Sequence, residues 1–121
     1  MTDLKTVLRD YGADYERTMA RFMGNEALYL RILAMLPRDE SLQKLDQALR
    51  SGDCSAAFDA AHTLKGVAVN LGLTPLAQAA CAIVEPLRAG AALGDHANLF
   101  QSVQEEFERA VGLLELLKEV E

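Results

Sequence analysis

The 121-residue chain has no tryptophan, two cysteines and two histidines. Cys54 and Cys81 are too few for the disulfide framework of a small secreted protein, so we expect thiols in a reducing compartment. Only His62 and His96 could supply imidazole ligands. A metal or haem site inside a helical protein needs further inward His, Glu or Met ligands on facing helices. We therefore expect neither a metal nor a cofactor.

Positive charge is also scarce, because 12 Lys and Arg stand against 18 Asp and Glu, for a formal net charge of -6. Nucleic-acid binding depends on clustered cations, so we expect no nucleic-acid partner. The start of the chain, MTDLKTVLRDYG, carries charges where a signal peptide needs an apolar core. No apolar run approaches the ~18 residues of a membrane span. These absences predict a cytoplasmic protein that does not associate with membranes.

Strand signals are nearly absent, since no stretch clearly alternates apolar and polar residues between turn pairs. Helix signals cover the chain instead. Thr2 or Asp3 can cap a short helix that ends near Gly12, and a second should cover residues 14–23. Asn25 is a suitable N-cap for the segment ALYLRILAML.

Pro37 should kink or end the helix that follows Asn25. Apolar residues recur at helical spacing on both sides of this proline: Leu28, Ile32, Met35, Leu42, Leu45 and Leu49. Ser51-Gly52 should close the second part of the segment, and Asp53 should cap the next helix.

Two more helices should follow the one that Asp53 caps. Gly72 predicts the end of that helix, and Thr74-Pro75 predicts a cap followed by proline at the first helical position. Pro86 should bend the helix after it. We expect a loop over residues 90–94 and a last helix that opens at Asp95.

The spacing of apolar residues in the last helix predicts how the helices pack together. Its apolar residues have the 3-4 spacing of a bundle seam: Phe100, Val103, Phe107, Ala110, Leu114 and Leu117. We predict a single all-α domain over residues 1–121, an up-and-down antiparallel four-helix bundle at 25–120 with an N-terminal extension at 1–24. The seam could also join two copies, but four helices suffice to bury it, so we expect a monomer.

A helical-wheel projection of the segment AAHTLKGVAVNLG predicts the direction in which His62 points. At about 100° per residue, one stripe is apolar and should be buried: Ala57, Ala61, Leu64, Ala68 and Leu71. A lone histidine in an apolar run is more often a core residue. His62, however, lies about 140° from the stripe, so we expect it to be exposed. Gly66 and Val69 lie beside it, and Lys65 and Phe58 lie on its flank toward the core.

The residues around His62 favour phosphoryl chemistry. Glycine in a helix interior costs ~1 kcal/mol relative to alanine, so Gly66 needs a reason, and clearance for a partner surface supplies one. Lys65 at i+3 can reach a group attached to the imidazole, and an ammonium suits a phosphoryl group. A solvated surface lysine would explain Lys65 alone. The three residues together indicate a phosphorylated histidine.

The segment H-T-L-K-G-V-A-V-N-L-G resembles the motif of histidine-containing phosphotransfer (HPt) domains, approximately H-x-L-K-G-x-x-x-x-x-G. The matches are His62, Lys65, Gly66 and Gly72. RFMGNEALYLRILAMLP and CAIVEPLRAG are similar to the family's neighbouring helices, so the resemblance covers most of the chain. It implies that His62 is phosphorylated, that Lys65 stabilises the phosphate and that Gly66 leaves room for the partner.

The chain departs from the family pattern at two places. Pro86 lies in a helix that is usually smooth, and Val67 and Val69 stand where small or polar residues are common. Asn70 agrees with residues often found at its position. It lies about 80° from His62 on the wheel, which gives it a lesser role.

The resemblance implies a phosphorelay intermediate of two-component signalling, a phosphocarrier without kinase activity of its own. His62 would accept a phosphoryl group from a receiver-domain aspartyl phosphate and pass it to another receiver domain. Receiver domains are the expected partners, and a sensor histidine kinase is a further candidate. The sequence has no glycine-rich phosphate loop of the G-x-x-x-x-G-K type, in agreement with this expectation.

Other functions compete with this one. A metal or haem bundle would use His62 as a ligand, and an adaptor bundle would bind receiver or kinase domains without phosphotransfer. A hydrolase would need an orienting acid, for which Asp59 at i−3 is the candidate, although a solvated acid is the simpler reading. We expect Phe58, Asp59, Val69 and Asn70 to bind the partner, with Phe58 and Val69 as apolar anchors.

Overall fold

A computed structural model describes residues 3–90 and 96–117 of the chain. The helices in this part are α1 (Leu4–Tyr11), α2 (Tyr15–Ala20), α3 (Glu26–Leu33), α4 (Ser41–Ser51), α5 (Cys54–Asn70), α6 (Thr74–Arg88) and α7 (Ala97–Leu117). A 3₁₀ turn, Leu36–Arg38, separates α3 from α4. The described residues contain no strand, which confirms the all-α prediction.

Short polar side chains cap four of these helices. Each accepts a hydrogen bond from the backbone N–H three residues on: Asp3, Asp14, Asn25 and Asp53. The predicted caps at Asp3, Asn25 and Asp53 are therefore confirmed. The prediction for α6 is wrong, because Thr74 is already helical and Leu73 holds the N-cap position without a side-chain hydrogen bond.

The first helix ends near Gly12 as predicted, but α2 is shorter than its sequence predicts. Turns follow α2 from residue 21, and the left-handed backbone of Met23 and Gly24 prevents the helix from reaching residue 23.

Two of the three residues noted at helical spacing around α3, Leu28 and Ile32, pack against the core. The third, Met35, lies beyond the end of the helix and is 58% exposed. Pro37 lies in the 3₁₀ turn and ends α3, as predicted.

The α6 helix continues through Pro86 and ends at Arg88. Proline has no backbone N–H, so α6 loses one hydrogen bond at Pro86. Because Pro86 lies near the end of the helix, only a short stretch follows the lost bond. The helix is continuous at Pro86, and the bend expected there stays a prediction. Asp95 and the greater part of the loop predicted at 90–94 lie outside the described residues.

Four helices contact one another in a closed cycle. The α4 helix packs on α5, α5 on α6, α6 on α7, and α7 returns to α4. One side chain from each is completely buried at the centre: Leu45, Leu64, Ile83 and Val103. This cycle is the packing that a four-helix bundle requires, and the up-and-down direction of its helices stays a prediction.

The predicted seam of α7 faces this core. Four of its six residues are buried: Val103, Phe107, Ala110 and Leu117. Phe100 and Leu114 are half-buried and pack against the same core. None of the helices in the described part of the chain has both the length and the apolar character that a membrane span requires.

The segment before α4 holds the C-terminal end of α5. The buried Tyr29 hydroxyl donates a 2.7 Å hydrogen bond to the Leu71 carbonyl, and the Arg21 guanidinium donates to the Val69 carbonyl. Gly72 and Leu73 donate their N–H groups to the last turn of α5, forming a Schellman motif. The end of α5 is thus fixed by its own cap and by the N-terminal segment.

Candidate functional site

His62 lies in the middle of α5 with its side chain exposed. The stripe opposite is buried at every predicted position: Ala57, Ala61, Leu64, Ala68 and Leu71. A local 3.6-residue period therefore placed the imidazole correctly, and the core-histidine interpretation is excluded.

Phe58 provides the closest described ring contact of His62. The two ring centroids are 5.7 Å apart, and the rings are tilted by 34°. Phe58 is half-buried and packs against the core, so it supports the imidazole from one turn below. On the wheel it was expected beside His62, and the structure brings the two side chains together.

Arg88, from the last turn of α6, also lies against Phe58. Its guanidinium carbon is 5.8 Å from the ring centroid, within the range of a cation–π contact. Helical spacing could not indicate this residue, because Arg88 lies 26 positions from His62, on another helix. The Arg88 guanidinium reaches Phe58 only because α6 packs against α5.

Lys65 lies one turn beyond His62 and is half-buried. Among residues 3–90 and 96–117, no hydrogen bond or ion pair involves its ammonium. The ammonium can therefore bind an anion next to His62 without first breaking a contact.

Gly66 lies in an exposed part of α5 with open space over its backbone. In the described part of the chain, no neighbouring atom lies within 4 Å of a Cβ added at this position. Packing against the described residues therefore does not require glycine here, although glycine is a poor helix former. The absence of a side chain leaves the surface beside His62 open to a second molecule.

Gly72 has a different reason to be glycine. Its φ is +68°, in the left-handed region, and an added Cβ would lie 2.9 Å from the Cβ of Thr18. Thr18 is buried in α2. The last glycine of the motif thus serves the fold, whereas Gly66 has no such role.

The four residues expected to bind a partner differ in exposure. Val69 is 41% exposed, and Asn70 and Asp59 are also exposed. Phe58 is half-buried, so part of its ring serves the core and part the surface. Asp59 forms no hydrogen bond with His62 in the described part of the chain, and it borders a groove between α4 and α5.

The described residues contain no group of three His, Cys, Asp or Glu that could hold a metal ion. His96 directly precedes α7 and is only 2% exposed, and residues 3–90 and 96–117 offer no hydrogen-bond partner to its Nδ1. His62 and His96 therefore differ in environment, one exposed on α5 and the other buried.

A family model described as "Hpt domain" matches residues 38–120. The match contains α4 to α7 and all seven residues singled out by the sequence: Phe58, Asp59, His62, Lys65, Gly66, Val69 and Asn70. Comparisons with curated proteins and with solved structures found no match.

Proposed function

The chain belongs to the Hpt domain family, and from this we propose that His62 carries a phosphoryl group from one receiver domain to another. The family assigns it to histidine phosphotransfer in two-component signalling, as a phosphocarrier-type domain. We place it in the cytoplasm as a monomer, with the bundle at residues 25–120 and the extension at 1–24.

This proposal rests on three neighbouring features of α5. The imidazole of His62 is exposed, the Lys65 ammonium has no partner among the described residues, and no side chain covers the backbone at Gly66. The lone pair of one ring nitrogen of His62 attacks the phosphorus of an aspartyl phosphate. The N–P bond forms as the P–O bond to the aspartate breaks, and the electron pair of that bond stays on the carboxylate. The other ring nitrogen exchanges its proton with solvent. The reverse sequence delivers the phosphoryl group to the next receiver.

The neighbours of His62 have separate tasks in this proposal. Lys65 neutralises part of the phosphoryl charge, and Gly66 lets the receiver approach the ring nitrogen. Val69 and the exposed part of Phe58 supply the apolar contact, and Asp59 and Asn70 lie at its rim.

Charging a receiver domain with acetyl phosphate and measuring the intact mass of this chain tests the proposal. We expect wild type to gain one phosphoryl group and His62→Gln to gain none, with the melting temperature nearly unchanged because exposed substitutions usually stay within ±0.5 kcal/mol. Lys65→Ala should slow uptake by roughly 10- to 100-fold, through loss of a charge-assisted contact worth ~1.5–3 kcal/mol.

Two results would contradict the proposal. Wild type that binds the receiver but gains no phosphoryl group would be an adaptor that binds without transfer. A His62→Gln variant that is phosphorylated as well as wild type would place the acceptor elsewhere.

A further inference from the structure

The Phe58 ring contacts two ionisable side chains that belong to different helices, His62 of α5 and Arg88 of α6. The imidazole of His62 lies 5.7 Å from its ring centroid, and the guanidinium carbon of Arg88 lies 5.8 Å from it. Because Phe58 also packs against the core, its position is fixed relative to both helices. The same ring thus contacts both a side chain of α6 and the proposed phosphoryl acceptor on α5.

The only ion pair described for Arg88 is weak. Its guanidinium lies 3.5 Å from the Glu85 carboxylate, and the two side chains are 55% and 59% exposed. Exposed pairs of this kind contribute at most ~1 kcal/mol and are screened by salt. Arg88 can therefore exchange Glu85 for a more highly charged anion at little cost.

Phosphorylation of His62 would create such an anion. A phosphoryl group adds about −1.5 to −2 charges at pH 7, and the single charge of Lys65 cannot balance it. The planar guanidinium donates two parallel hydrogen bonds to phosphoryl oxygens, which an ammonium cannot do.

We propose that Arg88 is a second ligand of the phosphoryl group and that Phe58 is its positioning residue. The inference rests on the proposed function of His62. When His62 is phosphorylated, the guanidinium leaves Glu85, turns along the edge of the Phe58 ring and donates to the phosphoryl oxygens. No covalent bond of Arg88 forms or breaks in this step. The phosphoryl group is then held between Lys65 and Arg88.

A receiver-free experiment tests this role. The full chain is phosphorylated with phosphoramidate, a small-molecule donor, and the ³¹P chemical shift of the phosphohistidine is followed against pH. A nearby cation favours the doubly charged phosphoryl form, so Arg88→Gln should raise the pH midpoint of this titration by about half a unit. The half-life of the phosphohistidine should fall about threefold. Arg88→Lys should keep part of both effects, because it keeps the charge.

Arg50→Gln is the matched control. Arg50 also lies in the last turn of its helix, but that helix is α4. Its guanidinium pairs with the Asp46 carboxylate at 3.0 Å. Both arginine variants lose an ion pair and a charge at a helix C-terminus. Only Arg88→Gln should move the ³¹P midpoint.

An Arg88→Gln midpoint equal to that of wild type would overturn the inference, as would failure of phosphoramidate to label His62. A midpoint shift in a chain that accepts nothing from a phosphorylated receiver would support Arg88 as a ligand while contradicting the proposed relay function.

Discussion

Thr18 of α2 occupies the space beside Gly72 that a side chain at position 72 would need. A Cβ on Gly72 would lie 2.9 Å from both the Cβ and the Cγ2 of Thr18, and the backbone there has a φ of +68°. Two independent constraints therefore require glycine at position 72: the left-handed backbone and the lack of space beside Thr18. The family motif shows only that a glycine is present there.

Gly72→Ala should lower the free energy of unfolding by about 3 kcal/mol, because a left-handed alanine costs 1–2 kcal/mol and overpacking adds about as much. Urea unfolding followed by circular dichroism measures the loss. Gly52→Ala is the control, since Gly52 has a φ of +74° but no atom within 4 Å of an added Cβ. An equal loss in both variants would show that Thr18 moves aside without cost.

Gly66→Gln should stabilise the fold by roughly 0.5–1 kcal/mol, because glutamine is the better helix former, while it blocks phosphotransfer from a receiver. Gly112→Gln provides the comparison, since Gly112 lies within α7 and is equally open to an added Cβ. We expect the same gain in stability there and no change in transfer. Wild-type transfer by Gly66→Gln would mean that the receiver does not approach over this residue.

Val69→Asp should weaken receiver binding and phosphotransfer at least tenfold, which needs only ~1.4 kcal/mol. The carboxylate would lie in the apolar contact between the two proteins, while decay of the phosphohistidine in the free protein should barely change. Calorimetric titration of a receiver domain measures the affinity. Leu116→Asp serves as control, since Leu116 is also exposed, at 54%, but lies on α7. Equal affinities for wild type and Val69→Asp would place the docking surface elsewhere.

Stability should fall in alkali between about pH 10 and pH 12. Burial raises the pKa of Tyr11 from 10.0 to about 12, so the folded state resists the loss of a proton that the unfolded chain releases earlier. The stabilising contribution of the neutral phenol is complete below pH 10 and is lost as pH rises, by about 2 kcal/mol at pH 12. Urea midpoints of wild type and Tyr11→Phe across this range measure the effect. Parallel profiles for the two proteins would contradict it.

Local periodicity explains which features could be predicted from the sequence. The exposure of His62 follows from five apolar residues on the opposite stripe of one long helix. In the short helix α3 the same reasoning worked only in part: Leu28 and Ile32 pack on the core, but Met35 is exposed. The spacing did not indicate Tyr29, which is fully buried and whose hydroxyl donates to the Leu71 carbonyl.

Contacts between distant segments could not be predicted in this way. Arg88 reaches Phe58 only because α6 packs on α5, and Thr18 reaches Gly72 only because α2 lies over the end of α5. A motif shows which residue types are present along one helix. It does not show which side chains another helix brings to them.

Apart from its own cap, the end of α5 is held by side chains that precede the span of the family model, which begins at residue 38. Thr18, Arg21 and Tyr29 each contact one of the positions 69–72. A chain cut to the matched span would keep the acceptor, the ammonium and the guanidinium, but the last turn of α5 would fray and exchange its amide protons rapidly. We therefore expect residues 3–37 to set how rigidly α5 presents the proposed acceptor to a partner, although none of them belongs to the proposed phosphoryl site.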